Sequence, residues 1–309
     1  MSHGSQTSNS VLLVRPASFG FHAEAAGSNA FASALDGDIH ANALTEFEGL
    51  AKRLSQARVN TIVLDDMPDP PKPDAVFPNN WISFHSDGTV VLYPMATAAR
   101  RLERNLEALT ALLKSSGFEV KRVVDLSGHE RRDRFLEGTG SLILDRPRRQ
   151  AYASLSLRTD RDVIAEFDEE LDYSTMVFEA SDAAGRPIYH TNVLLTLGTH
   201  FAVLCSEAVA PGSRAALIAE VEASGRAVLD VDFAQMSRFA CNLIELHNRD
   251  RDPVIALSTA ALEAFLPDQL RILESFGELV AVPIPTIETV GGGSVRCMIA
   301  DIHLPRRFG

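Results

Sequence analysis

Cys297 sits in GGGSVRCMIADIHLP (291–305), after three glycines and a cation and before an alternating apolar run. A thiolate is a nucleophile, and nearby positive charge favours it. Glycines let backbone N–H groups come close to a substrate. The competing reading is a small core thiol, which is how Cys205 in FAVLCSE reads. Arg296 is adjacent, but neighbours on a strand point to opposite faces, so its help to the sulfur stays open. His190 heads the apolar run of PIYHTNVLL. It titrates near neutrality and suits proton transfer, or it is a hydrogen-bonded strand-end residue. Glu137 opens EGTG; it holds a substrate N–H, orients the imidazole, or is a turn residue. Thiol, imidazole and carboxylate together are parts for nucleophilic catalysis.

What must position them is a repeat. Short apolar strands recur in FPNNWISF (77–84), EGTGSLIL (137–144), HTNVLLTL (190–197), ACNLIEL (240–246) and RCMIADIHL (296–304). The residues leading into them are Asn80, Gly140, Asn192, Asn242 and Cys297, at intervals of 50 to 60 residues. A regular period marks a repeat architecture. Helical patterns lie between, over 43–58, 96–117, 213–225 and 258–277, with Ser213 and Ser258 as candidate N-caps and Gly117 as a C-terminal stop. Further apolar strands follow at 58–66, 118–126, 227–233 and 278–285. The expected fold is α/β, closing in a ring that removes free sheet edges and brings the five leading residues to one axis. The alternative is an open doubly wound sheet; no GxGxxG or phosphate loop follows an early strand to support it.

Composition excludes some functions. The 309 residues carry 41 acids against 29 bases, a net charge of −12 that repels nucleic acid and anionic membranes. No apolar run approaches the roughly 20 residues of a membrane span. Three cysteines without CxxC or a histidine cluster argue against disulfide scaffolds and structural zinc, and for a reducing cytoplasm. Residues 1–9 are expected to be a disordered tail or tag remnant, and 10–309 a single catalytic domain. DDMPDPPKPD (65–74) reads as a mobile flap or a solvated connector.

The motifs FPNN, EGTG, HTN and GGGSVRCM, in this order over residues 11 to 305, resemble the guanidino-group modifying superfamily, the pentein fold of arginine deiminases, dimethylargininases and amidinotransferases. RPASFGF, VFPNNWISFH and YHTNVLL look closest to its citrulline utilisation hydrolase branch. The resemblance implies a five-bladed α/β propeller without cofactor or metal. It implies Cys297 as nucleophile, His190 as general acid and base, and Glu137 as the substrate-holding carboxylate. SLRT (156–159) resembles a deiminase SxRT stretch, which makes Arg158 a candidate for the substrate carboxylate. The chain departs from the deiminase pattern at Asn80 and Asn192, where the guanidinium-acting relatives have Asp, and in EGTG, where they have EGGD. A buried cation needs carboxylate partners, whereas Asn offers both donor and acceptor. That points to a neutral ureido substrate such as citrulline, with Asn80, Asn192 and Asn242 in the pocket. The expected partners are a small amino acid and, at most, a second copy of the chain. The alternatives are a hydrolase or amidinotransferase acting on arginine or methylarginine, and an amino-acid-binding protein that catalyses nothing.

Overall fold

The computed structural model describes residues 4–307. Five separate three-stranded sheets follow one plan. A short strand pairs antiparallel with a middle strand, a helix crosses over, and an outer strand returns parallel to the middle one. Along the chain the second sheet is Ile82–Phe84, Thr89–Leu92 and Arg122–Asp125. The third is Ile143–Asp145, Gln150–Ser154 and Ser174–Phe178. The fourth is Leu195–Leu197, Phe201–Leu204 and Ala227–Asp230. The fifth is Ile244–His247, Pro253–Ser258 and Glu278–Val282. The first sheet joins both ends of the chain: Ser10–Arg15 pairs parallel with Asn60–Asp65 and antiparallel with Ala300–Asp301. Short strands of neighbouring sheets touch, Leu195–Leu197 against both Ile143–Asp145 and Ile244–His247, and Ala300–Asp301 against Ile82–Phe84. This is the five-bladed α/β propeller. Among the described residues no backbone ladder joins one sheet to the next; packing and side-chain bonds between blades, such as Thr196 Oγ1 to Leu243 O at 2.8 Å and Arg146 to Phe84 O and Asp301, hold the ring together rather than the edge-free ladder expected from sequence.

Helix Ile39–Gln56 shows why the blades hold. Its Phe47, Leu50 and Leu54 are fully buried, each worth about 1.5–3 kcal/mol relative to exposure. The helix packs against the outer strand of the fifth sheet, and Asp38 caps it by accepting from the Ala41 N–H.

Several expected elements are shorter than their apolar patterns. The single helix over 96–117 is two, Ala98–Arg101 and Leu106–Ser115, because Asn105 caps a new start by accepting from Ala108 N–H. The helix over 258–277 breaks before Pro267, which holds Leu266 extended. Ser258 does cap its first half. Ser213 is no cap: Pro211 begins that helix, with Ala210 at the cap position. Helix Arg161–Leu171, capped by Asp160, is absent from the sequence reading. Residues 4–9 are not a loose tail: Gln6 donates to Leu144 O at 2.9 Å, Thr7 bonds His247, and Ser8 is buried and bonds Ile302 O. Residues 1–3 lie outside the described residues. The 65–74 segment is pinned rather than flap-like, because Lys72 Nζ donates to Met67 O at 2.7 Å and Pro70 O at 3.0 Å and pairs with Asp66.

Candidate active site

The five leading residues stand on turns, not in strands. Asn80 ends the 3₁₀ turn Pro78–Asn80, Gly140 lies in the helical turn Gly138–Ser141, and Asn192 lies in the 3₁₀ turn Thr191–Val193. Asn242 and Cys297 precede the short strands of the fifth and first sheets. Four of these positions place a side chain ahead of the strand; Gly140 has none. Glu137 and His190 are the residues just before two of these turns.

His190 Nε2 lies 2.8 Å from Glu137 Oε2. Burial pushes the imidazole down to about 4, against the pull of Glu137. The ring is therefore neutral near pH 7; with its proton on Nε2, donated to Glu137, Nδ1 keeps a lone pair. Glu137 is also fully buried, which opposes ionisation. Arg158, His190 and Arg100 outweigh this and hold its carboxyl well below the usual carboxylate range. Its Oε1 accepts from the Ala96 N–H at 3.0 Å.

The Cys297 sulfur is approached by two amide N–H groups, Asn192 Nδ2 and Asn242 Nδ2, each at 3.3 Å. Both favour negative charge on sulfur. Asn242 is itself fixed, accepting from Arg296 N at 3.1 Å and donating to Asn192 O at 3.1 Å. It thus sits behind the sulfur. Arg296 turns away, to Ile299 O at 2.7 Å and to Asp301, so sequence adjacency does not deliver its charge to the thiol. Cys205 and Cys241 lie in the apolar core, where burial pushes their thiols up, that of Cys205 to about 12.

Cys297, His190, Asn80 and Arg158 line one cavity with residues the sequence reading passed over: Asn29, Asp74, Arg100 and Tyr189. Arg100 donates to Asn80 Oδ1 at 2.8 Å and pairs with both oxygens of Glu103, at 2.9 and 3.0 Å. Asp74 Oδ2 is 2.7 Å from His22 Nδ1, although His22 reads in sequence as a polar-loop histidine. Tyr189 donates to Gly292 O at 2.6 Å, and its ring lies under the Arg158 guanidinium. Only the tyrosine's adjacency to His190 offered a sequence signal. Arg100 falls in a pattern that reads as an ordinary helix face.

The cavity holds about 20 Å³, room for about one water. The segment 22–29 covers it. Arg158 donates to Ala25 O at 2.7 Å and to Ser28 Oγ, and Asn29 Nδ2 donates to Gly291 O and Gly292 O. Any amino-acid ligand requires this segment to lift.

Gly140 occupies the place where three other blades carry Asn. A Cβ there would stand 2.5 Å from Asn80 Nδ2 and 2.9 Å from His190 Nδ1. Gly140→Ala is expected to lower kcat at least about 10²-fold, since a displacement near 1 Å costs that much. Circular dichroism should remain near wild type; unchanged kcat would refute the packing argument.

Residues 15–304 match the family described as N,N-dimethylarginine dimethylhydrolase, eukaryotic. The chain belongs to this family. It is a family of C–N hydrolases within the pentein superfamily. Solved structures share the fold. The apo structure of ArgZ, an arginine dihydrolase from the ornithine–ammonia cycle in cyanobacteria, superposes with TM-score 0.74 at 18% identity, covering 96% of this chain and 41% of that one. The N-terminal domain of ArgZ, as a cysteine-to-serine variant bound to substrate, gives 0.73 at 17%, covering 95% and 97%. A dimethylarginine dimethylaminohydrolase, as a histidine-to-glycine variant in adduct with S-methyl-L-thiocitrulline, gives 0.67 at 14%, covering 96% and 100%. The chain thus spans about 41% of full-length ArgZ. Direct comparison with curated protein sequences finds no match. Among the described residues no helix is long and apolar enough to cross a membrane.

Proposed function

We propose that this dimethylargininase-family protein is a cysteine-dependent hydrolase of the ureido group of citrulline or a similar amino acid, releasing ornithine, ammonia and carbon dioxide. The observation that carries the reading is the polarity of Asn80. Arg100 has only donors and takes Asn80 Oδ1, so the buried Asn80 Nδ2, which has no partner, is the group left over. Asn192 Oδ1 is likewise buried and unpartnered. One free donor and one free acceptor match a ureido C=O and N–H. A guanidinium has donors only and would leave Asn80 Nδ2 unpaired, at about 1–3 kcal/mol. The nearby carboxylates are already paired, Glu137 with Arg158 and Asp74 with His22, so a bound cation must take one of them from its present partner. A zwitterion can exchange these partners, its carboxylate going to Arg158 and its ammonium to Asp74.

In the reaction, neutral His190 takes the thiol proton of Cys297. Sulfur bonds to the ureido carbon, and Asn80 faces the oxygen that gains charge. The C–N bond to the side-chain nitrogen breaks as His190 returns the proton to that nitrogen, freeing ornithine. Water, deprotonated by His190, then attacks the carbamoyl thioester; sulfur leaves and is reprotonated, and the carbamate falls apart to ammonia and carbon dioxide. Three unpaired cysteines suit a reducing cytoplasm for such an enzyme.

The second reading, arginine or a methylated arginine as substrate, is favoured by the family match and by the Glu137 carboxylate. Ornithine and citrulline release, measured with citrulline, arginine and dimethylarginine as substrates, separates them: citrulline is expected to have the highest kcat/KM for ornithine release, and turnover of arginine or dimethylarginine without turnover of citrulline overturns the ureido reading. Asn80→Asp replaces the free N–H with an acceptor. It is expected to lower kcat/KM for citrulline about 10²-fold, the scale of losing one oxyanion donor. Citrulline turnover unaffected by Asn80→Asp would remove Asn80 from the mechanism.

A further inference from the structure

The Tyr189 side chain is buried on the wall of the catalytic cavity and touches three parts of it. Its ring lies 4.6 Å from that of His190 and 5.1 Å from the Arg158 guanidinium. Its hydroxyl donates to Gly292 O at 2.6 Å. Burial pushes the phenol's pKa up, so near neutral pH it stays a donor. The other donor to Gly292 O is Asn29 Nδ2 at 3.3 Å. Asn29 belongs to the segment that must lift before a ligand enters. Once that segment lifts, Tyr189 holds this carbonyl by itself.

The carbonyl belongs to a peptide between two glycines. Gly292 stands at φ 63°, and a Cβ on it would lie 2.5 Å from Asn29 Nδ2. Glycine takes positive and negative φ about equally readily, so the chain itself does little to stop this peptide from turning over. A trans peptide points its C=O and N–H in opposite directions. The bond from Tyr189 therefore also fixes which way the Gly293 N–H faces. Gly293 is buried, and its N–H reaches no backbone carbonyl among the described residues. Buried N–H groups are rarely left so. Those of Ser294 and Val295 have no backbone acceptor either, but of the three residues only Gly293 lines the cavity. A Cβ on Gly293 would lie 3.3 Å from Cys297 Cβ, so this peptide is beside the nucleophile.

Attack of sulfur on a ureido carbon turns the C=O into an oxyanion, whereas attack on a guanidinium puts charge on no oxygen. Preorganised N–H donors are what hold an oxyanion, and Asn80 Nδ2 supplies one. We propose that the Gly293 N–H is the second donor to this oxygen, and that Tyr189 is the positioning residue that keeps it aimed there while the 22–29 segment opens and closes. The inference rests on the ureido reading, since that substrate is the one that develops the oxyanion.

Tyr189→Phe keeps the ring against His190 and Arg158 and removes the bond to Gly292 O. With citrulline as substrate, kcat is expected to fall at least about tenfold while KM stays within about twofold, as for a donor lost from the transition state. In a second chain, glycolic acid incorporated at position 293 replaces the N–H by an ester oxygen; kcat should fall about 10²-fold, the scale of one oxyanion donor. Adding Tyr189→Phe to that chain should cost less than about twofold more, because no N–H is left to aim. Iodoacetamide alkylation of Cys297, located by mass, needs the thiol but no oxyanion donor. It should keep its wild-type rate in both variants, which a general loosening of the site would not allow. Unchanged kcat in either variant, an undiminished further loss in the combined chain, or alkylation that slows in step with kcat overturns the tether; citrulline turnover by the wild type then leaves the ureido reading standing. A wild type that hydrolyses arginine but not citrulline overturns both.

Discussion

Cys297→Ala is expected to abolish hydrolysis, with kcat falling by at least about 10⁴-fold, as when a covalent nucleophile is removed from a site that acts as a unit. The sulfur accepts N–H groups from Asn192 and Asn242 at 3.3 Å. Alanine leaves Asn192 Nδ2 buried without a partner, while Asn242 Nδ2 keeps Asn192 O; the orphaned amide costs about 1–3 kcal/mol, so a lower Tm accompanies the loss. Cys297→Ser separates the two effects. Its oxygen still accepts an amide N–H, so Tm should recover while activity does not, because a hydroxyl is a far weaker nucleophile than a thiolate. Ornithine release reads activity, and intact mass of acid-quenched wild type reads the thioester adduct. A Cys297→Ala enzyme that still turns over would remove covalent catalysis from the account and leave the amino-acid-binding reading or a different nucleophile.

The second large effect belongs to His190. His190→Ala is expected to lower kcat by about 10²–10⁴-fold, the range for losing a positioned acid–base group. KM should change much less, because the ring acts on protons and does not hold the substrate's charged groups. The pH dependence follows from burial. A free imidazole titrates near 6.5, and in this cavity it is pushed down to about 4. The neutral, active ring therefore persists as pH falls through 6, and kcat/KM should drop only as pH approaches the lowered value. Stability follows the same sign. The unfolded chain takes up this proton near 6.5 and the folded one only near 4, so the contribution is intact above 6.5 and is lost progressively between those values. A kcat/KM profile with its acid limb at or above 6.5 would mean that the ring is solvated in the reacting enzyme, or that another group sets the limb.

The chain's own pattern determines the repeat. Residues 80, 140, 192, 242 and 297 each lead into a short apolar strand, and the blades recur with them because each unit must bury one helix face and one sheet face. The glycines that flank Cys297 and neither Cys205 nor Cys241 mark the thiol that lines the polar cavity, while the other two lie in the apolar core. Cap residues were readable where the side chain acts locally, as at Ser258, and misread at Ser213, where Pro211 two residues earlier starts the helix. Helix breaks at 102–105 and 265–266 lay hidden under continuous apolar periodicity, because one capping Asn and one Pro outweigh propensity.

Tertiary structure alone decided which way the polar groups face. Asn80 reads the same in sequence with either end of its amide inward; Arg100, twenty residues on, takes the oxygen and leaves the N–H free. Asn242 looks like a pocket residue until Arg296 N and Asn192 O place it behind the sulfur. The charge of Arg296, next to Cys297 in the chain, goes to Asp301 and Ile299 O instead. The physical reason is the same throughout: spacing fixes which turn a residue occupies, but a hydrogen bond's direction depends on the partner across the axis, and those partners come from other blades.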